Sequence, residues 1–128
     1  MDSAIEAILP AIDEHTAVLP LLNGVSHIDA LSLRFGENSV LVGAAHLAVS
    51  LSRDGVIQHL NDINILMSGE RNGRASPRCT ALADSPRAST VDARLSQNVL
   101  QDMWDKFVFL GTLAGINLPY ACKHRRIP

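Results

Sequence analysis

The sequence carries no excess of charge of either sign. Its 11 basic and 13 acidic residues leave a net charge of -2, which gives no electrostatic reason to bind nucleic acid or an anionic membrane. The one basic cluster, Lys123, His124, Arg125 and Arg126, stands at the very end and reads as a solvated tail. Cysteine is scarce: Cys79 and Cys122 are far apart and in no CxxC arrangement. Neither a metal site nor a disulfide framework is indicated, and reduced thiols in a cytoplasmic protein are expected. No apolar run approaches the length of a bilayer crossing, and the start, MDSAIEAILPAIDEH, lacks the basic residues of a signal peptide. Internal repeats and low-complexity tracts are missing as well.

Familiar catalytic signatures are also missing. The five histidines, His15, His27, His46, His59 and His124, include no pair at the i, i+4 spacing of a helical metal site, and no cysteine or carboxylate completes one. They read as satisfied or exposed side chains, and no metal is expected. No GxSxG elbow and no GxxxxGK[ST] loop occurs, which removes support for a serine hydrolase or a P-loop enzyme. The eight glycines never take the GxGxxG spacing that cradles a dinucleotide.

What is present is enough for one domain with a core, because 128 residues are 47% hydrophobic and 19% charged. The strongest pattern is QNVLQDMWDKFVFLGTLAGIN, Gln97 to Asn117. Its apolar members Val99, Leu100, Met103, Trp104, Phe107, Leu110, Leu113 and Ala114 recur at three- and four-residue steps, the spacing that collects side chains on one side of a helix. Ser96 is placed to accept from an amide of the first turn, and Gly115 stands where a helix often stops. From Phe107 onward nearly every side is apolar, which predicts burial. Lys106 lies at the boundary of the polar and apolar halves. It is either one half of an exposed helical pair with Asp102, or a partly desolvated ammonium at a pocket edge, able to give a proton to a developing alkoxide.

Upstream, Ser3 to Ile12 has a helical stripe that Pro10 ends or bends. The run Thr16 to Leu22 fits a buried strand closed by a turn at Asn23-Gly24. Asn23 is then an amide at the carboxyl end of a strand, where open α/β sheets present ligand-binding groups; a plain turn is the other reading. His27 to Phe35 reads as a helix with Ile28, Leu31 and Leu33 as its apolar members and Gly36 as its stop. Ser39 to Met67 reads as two or three strands, VLVGAAHLAVSL, GVIQHL and NILMSG, with a turn at Arg53-Asp54-Gly55. Arg71 to Thr90 is predicted to be a mobile connection with a short helix between Pro77 and Pro86, and Val91 to Leu95 an edge strand. Short helices and a hairpin around such strands predict a mixed sheet in an α/β fold.

These pieces resemble a known family. LLNGVSHIDALSLRFGENSVLVGAAHLAVSLSRDGVIQHL, then GERNG, then LSQNVLQDMWDKFVFLGTLAGIN are similar to the middle of ketopantoate reductase, the NADPH-dependent 2-dehydropantoate 2-reductase of pantothenate synthesis. The resemblance runs from about Ser3 to Asn117. It rests on an NG-containing strand end, a GE after the hairpin and a W-x-K-F helix in the right order. It implies that Asn23 lies near the nicotinamide and the substrate, and that Lys106 protonates the C2 oxygen while the cofactor, NADPH, gives hydride. It further implies a partial Rossmann-like domain over residues 1–95, the start of a helical C-terminal domain over 96–117, and a tail unlike the family over 118–128.

The departures from the family pattern matter too. Where the family's helix carries substrate-contacting asparagines four and eight residues after the lysine, this chain has Leu110 and Ala114. The family's phosphate loop precedes the matching region, and its further site residues lie in a helical domain that follows. The expected reading is therefore a central fragment with an altered end, inactive as an isolated reductase. A non-catalytic remnant that associates through an exposed sheet edge is the alternative.

Overall fold

In the computed structural model, which describes residues 2–85 and 90–122 with side chains as far as Ile116, a long β-hairpin is the frame. Strand β1, Val42–Leu51, and strand β2, Ile57–Gly69, pair antiparallel, with Val42 opposite Gly69 and Leu51 opposite Ile57. The segments GVIQHL and NILMSG thus form one continuous strand of 13 residues. The turn between the strands is closed by the Ser52 amide, which donates to the Val56 carbonyl, and by the Val56 amide, which donates to Ser52 Oγ; a register shift between Leu47 and Val49 bulges β1. Strand β3, Asp92–Leu95, joins the other side of β2 in parallel, so the order is β1-β2-β3 and the sheet is mixed, as predicted.

Helix α1, Asp2–Ile8, gives way at Pro10 to a 3-10 turn over Leu9–Ala11. Helix α2, Ser26–Phe35, ends at Gly36, whose φ of 87° places it in the left-handed region that glycine enters without a Cβ clash. Its inward residues are His27, Ile28, Leu31 and Ser32, not Leu33, which is 91% exposed. Leu33 lies two residues beyond Leu31, about 200° round a helix of 3.6 residues per turn, and so off the stripe.

Two further expectations are corrected. The run Thr16 to Leu22 makes a single parallel bridge, Val18 to Val40, rather than a strand, and Leu21 and Leu22 are about half exposed. Pro20 within the run has no N–H to continue a ladder. The final helix, α4, spans Val99–Cys122, past Gly115 and Pro119. Gly115 is not among the glycines at positive φ, so it propagates the helix instead of capping it.

The core has two parts. Ile28, Val42, Ala44, Val99 and Met103 join α2, β1 and α4, while Ile5, Leu31 and Val40 tie α1 to the other end of α2. Helix α3, Pro77–Asp84, lies in the connection from β2 to β3 and packs against β3; it is started by Pro77 and by Ser76 Oγ, which accepts from the Cys79 amide. The GERNG turn after β2 ties the layers together. Glu70 takes two bonds from Arg78 of α3, at 2.7 and 2.6 Å, and Arg71 reaches Asp29 of α2 at 2.7 Å. The bracket expected at Pro86 and the basic tail at 123–126 lie outside the described residues. Among the described residues no helix is long and apolar enough to cross a membrane.

Candidate active site

The placement of Lys106 follows from how α4 meets the sheet. Ser96 Oγ accepts from the Asn98 amide at 3.0 Å and donates to Asp102, which fixes the first turn. The helix then approaches β2 closely because Gly69 has no side chain: a Cβ there would run into the Ser96 carbonyl and lie 3.3 Å from Val99. Val99 and Met103 bury themselves on Val42 and Ala44. The next residue on that stripe is Lys106, carried by the same spacing onto the middle of β1.

There Lys106 Nζ donates to the Ala45 carbonyl at 2.6 Å. The side chain is half-buried, and burial pulls its pKa below the ordinary lysine value. Of the two readings open in the sequence, the geometry favours the desolvated one. Asp102, one turn earlier, is bonded by Ser96 and not by Lys106.

Lys106 lies where two clefts meet. One, of about 330 Å³, is lined by His46, Met67, Asp102, Asp105, Lys106 and Phe109. The other, of about 350 Å³, runs along α4 toward Leu110 and Leu113 and over Leu47, Ala48 and Ile63. An ammonium with one proton held by a carbonyl keeps two N–H groups for a ligand in either cleft.

His46 is the site residue that sequence reasoning missed. It lines both clefts beside Ala45, and its Nε2 is buried without a hydrogen-bond partner. Burial pushes its pKa below the usual histidine range, the Lys106 charge and that of Arg94 push the same way, and Asp102 opposes them. His27, 2% exposed in α2, likewise has an unpartnered Nε2. Both depart from the reading of histidines as satisfied or exposed. The signal was there: His46 is in phase with Val42 and Ala44, so the two-residue period of a strand turns it toward α4.

Asn23 is exposed in the bend before α2 and is not a lining residue of either cleft that contains Lys106. The described residues do not bring the two predicted site residues into one pocket. They also contain no group of histidine, cysteine or carboxylate side chains arranged to hold a metal ion.

Residues 1–72 match the family described as Ketopantoate reductase PanE/ApbA. The 2-dehydropantoate 2-reductase of Lactococcus lactis is 29% identical over 120 residues, covering 91% of this chain and 37% of that protein. The crystal structure of 2-dehydropantoate 2-reductase from Geobacter metallireducens superimposes with a TM-score of 0.76 at 30% identity, over 84% of this chain and 36% of the other. A complex of D-mandelate dehydrogenase with NADH shares the fold at a TM-score of 0.79 and 21% identity, over 91% and 38% of the two chains. The chain thus spans 36% to 38% of the length of these relatives. With a mixed sheet of Rossmann-like type followed by a long helix, and with the family match covering more than half of its residues, the chain belongs to the ketopantoate reductase family of oxidoreductases.

Proposed function

We propose that this chain supplies the proton-donating side of a 2-oxo acid reductase, in which the C2 ketone of 2-dehydropantoate is reduced to pantoate with NADPH in pantothenate synthesis. The observation that carries the reading is the half-buried Lys106 ammonium, tethered to Ala45 where two clefts meet. A nicotinamide cofactor, when bound, supplies the hydride.

The chain's own residues account for the proton. As negative charge gathers on the carbonyl oxygen, an N–H of Lys106 first stabilises it and then delivers the proton to it, leaving a neutral amine held by the Ala45 carbonyl. The lowered pKa makes the ammonium a readier acid than a solvated lysine. Asn23, exposed and offering both a donor and an acceptor, orients the nicotinamide amide and the substrate in this reading. The fit to a dinucleotide is confined to that end, because the glycines form no phosphate cradle. Residues 1–95 then belong to a Rossmann-like NADP-binding domain and residues 96–117 open a helical one, in a cytoplasmic protein.

The test is a thermal melt of the purified chain with and without 2-dehydropantoate and NADPH. A ligand that binds only the folded state adds about 2.7 kcal/mol at a hundredfold excess over its Kd. An upward shift with the 2-oxo acid that disappears in Lys106→Ala is expected. A shift that survives the substitution, or none at all, sinks the reading. A second reading, association through uncovered surfaces, is favoured by the outer edge of β1, which beyond Val40 has no strand partner among the described residues.

A further inference from the structure

Lys106 and His46 line both clefts, and the groups around them make the two unlike. The cleft of about 330 Å³ sets two carboxylates, Asp102 and Asp105, against the one ammonium. Among the described residues no acidic side chain lines the cleft of about 350 Å³ along α4, whose polar side chains are Lys106, His46 and Asn61. Asn61 Oδ1 already accepts from the Ile63 amide at 3.1 Å, which leaves its NH2 group to donate. An anion is therefore drawn to the cleft along α4 rather than to the other. The His46 ring is half-buried, with Nε2 closed off without a partner and Nδ1 not closed off. Burial, together with the charges of Lys106 and Arg94, favours the neutral ring, which carries a single N–H that can sit on either nitrogen.

We propose that His46 binds the carboxylate of the 2-oxo acid, through Nδ1–H, in the cleft along α4. The inference rests on the reading of Lys106 as the group that meets the ketone, and adds a second substrate-binding residue to that site. A 2-oxo acid carries its carboxylate one bond from the ketone carbon, so a ketone oxygen at Lys106 keeps the carboxylate close by. His46 directly follows Ala45, whose carbonyl holds the ammonium at 2.6 Å, and lines the same cleft. The bound carboxylate accepts from Nδ1–H and so keeps the ring proton on that nitrogen. Nε2 is then left with a lone pair, and no unpaired N–H is buried. Lys106 supplies charge and proton, while His46 sets which way the ketone faces.

The test is a magnetic-resonance titration of the 128-residue chain, isotope-labelled at its histidine rings, with 2-dehydropantoate and with the methyl ketone in which a methyl group replaces the carboxylate. Binding is followed through the methyl resonances of Ile63 and Leu110, which line the cleft. In the complex with 2-dehydropantoate, Nδ1 of His46 is expected to shift and to carry the proton, with Nε2 bare; the methyl ketone is expected to leave Nδ1 where it was. His46→Leu is expected to raise the Kd of 2-dehydropantoate about tenfold, the size of effect of a hydrogen bond to a charged group, and to leave that of the methyl ketone unchanged. His46→Asn, whose amide nitrogen stands near the place of Nδ1, is expected to recover most of the loss. Equal weakening of both ligands by His46→Leu, no weakening at all, or a proton on Nε2 in the complex overturns the inference; Lys106 stays as the acid where Lys106→Ala still abolishes binding. If His46→Leu does not fold, the ring nitrogens of the unaltered chain decide alone. Failure of 2-dehydropantoate to move any of these resonances removes the reading of Lys106 together with the inference.

Discussion

Two imidazoles, His27 buried and His46 half-buried with its Nε2 closed off, give the protein a pH dependence that its net charge does not suggest. Burial holds both His27 and His46 below the ordinary histidine value of 6.5. The unfolded chain takes up protons as the pH falls through that value, while the folded chain refuses them. Stability is therefore complete above about pH 6.5 and declines below it, down to the folded-state pKa values. Glu70, whose carboxyl the Arg78 hydrogen bonds hold low, adds a separate loss that begins only below its ordinary value of 4.5. Melts taken from about pH 7.5 down to about pH 5 should show a falling Tm, and His27→Leu should flatten that part of the curve. A Tm that stays level or rises on acidification in the unaltered protein contradicts the account. Lys106 was readable as a candidate from its position at the edge of an apolar stripe. The choice between its two roles was not, because it depends on the Ala45 carbonyl, 61 residues away in sequence.

At the scale of elements, α4 is placed by what Gly69 lacks. Adding a methyl group there drives it into the backbone carbonyl of Ser96, which cannot swing aside as a side chain end would. Gly69→Ala should cost about 1–3 kcal/mol by overpacking. Gly111→Ala, in the middle of the same helix with nothing within 4 Å of the added carbon, should instead stabilise by about 0.5–1 kcal/mol through helix propensity. Denaturant melts of the two variants check the pair, and an equal effect of both would refute the role given to Gly69. The helix itself was legible from its 3.6-residue period, the hairpin from its β-branched residues and the Arg53-Asp54-Gly55 turn, and α2 and β3 as elements, although Leu33 lies off the α2 stripe and β1 bulges after Leu47. The extension of α4 beyond Asn117 was not, since Gly115 and Pro119 are local stop signals whose effect depends on neighbours. Nor was the failure of Thr16 to Leu22 to become a strand, where an apolar run hides a proline that cannot donate.

At the scale of the whole molecule, apolar character and burial part company. Phe107 and Phe109 were predicted to be inside, yet they are 46% and 65% exposed. Trp104 packs edge-on against Phe107 with ring centroids 5.7 Å apart, and both remain about half open. Hydrophobicity in a sequence states what favours cover, and Met103 is the last fully buried residue of α4 among the described side chains. On the hairpin, Leu51, Ile57 and Leu60 are open as well. Such area on a monomer marks a contact surface. Sedimentation should therefore give a mass that rises with concentration, and Phe109→Lys should lower it. A single monomeric species over a wide concentration range, in the unaltered protein, would falsify this.

The sheet order also imposes a sequence of events on folding. β1 and β2 are joined by a turn of five residues, whereas β3 reaches β2 only across the whole connection that contains α3. Closing the short loop costs less entropy, so the hairpin forms before β3 adds to it. Ser96 bonds to β2 directly after β3, and α4 begins three residues later. The ammonium of Lys106 loses its water when α4 docks on β1, so its titration reports that docking.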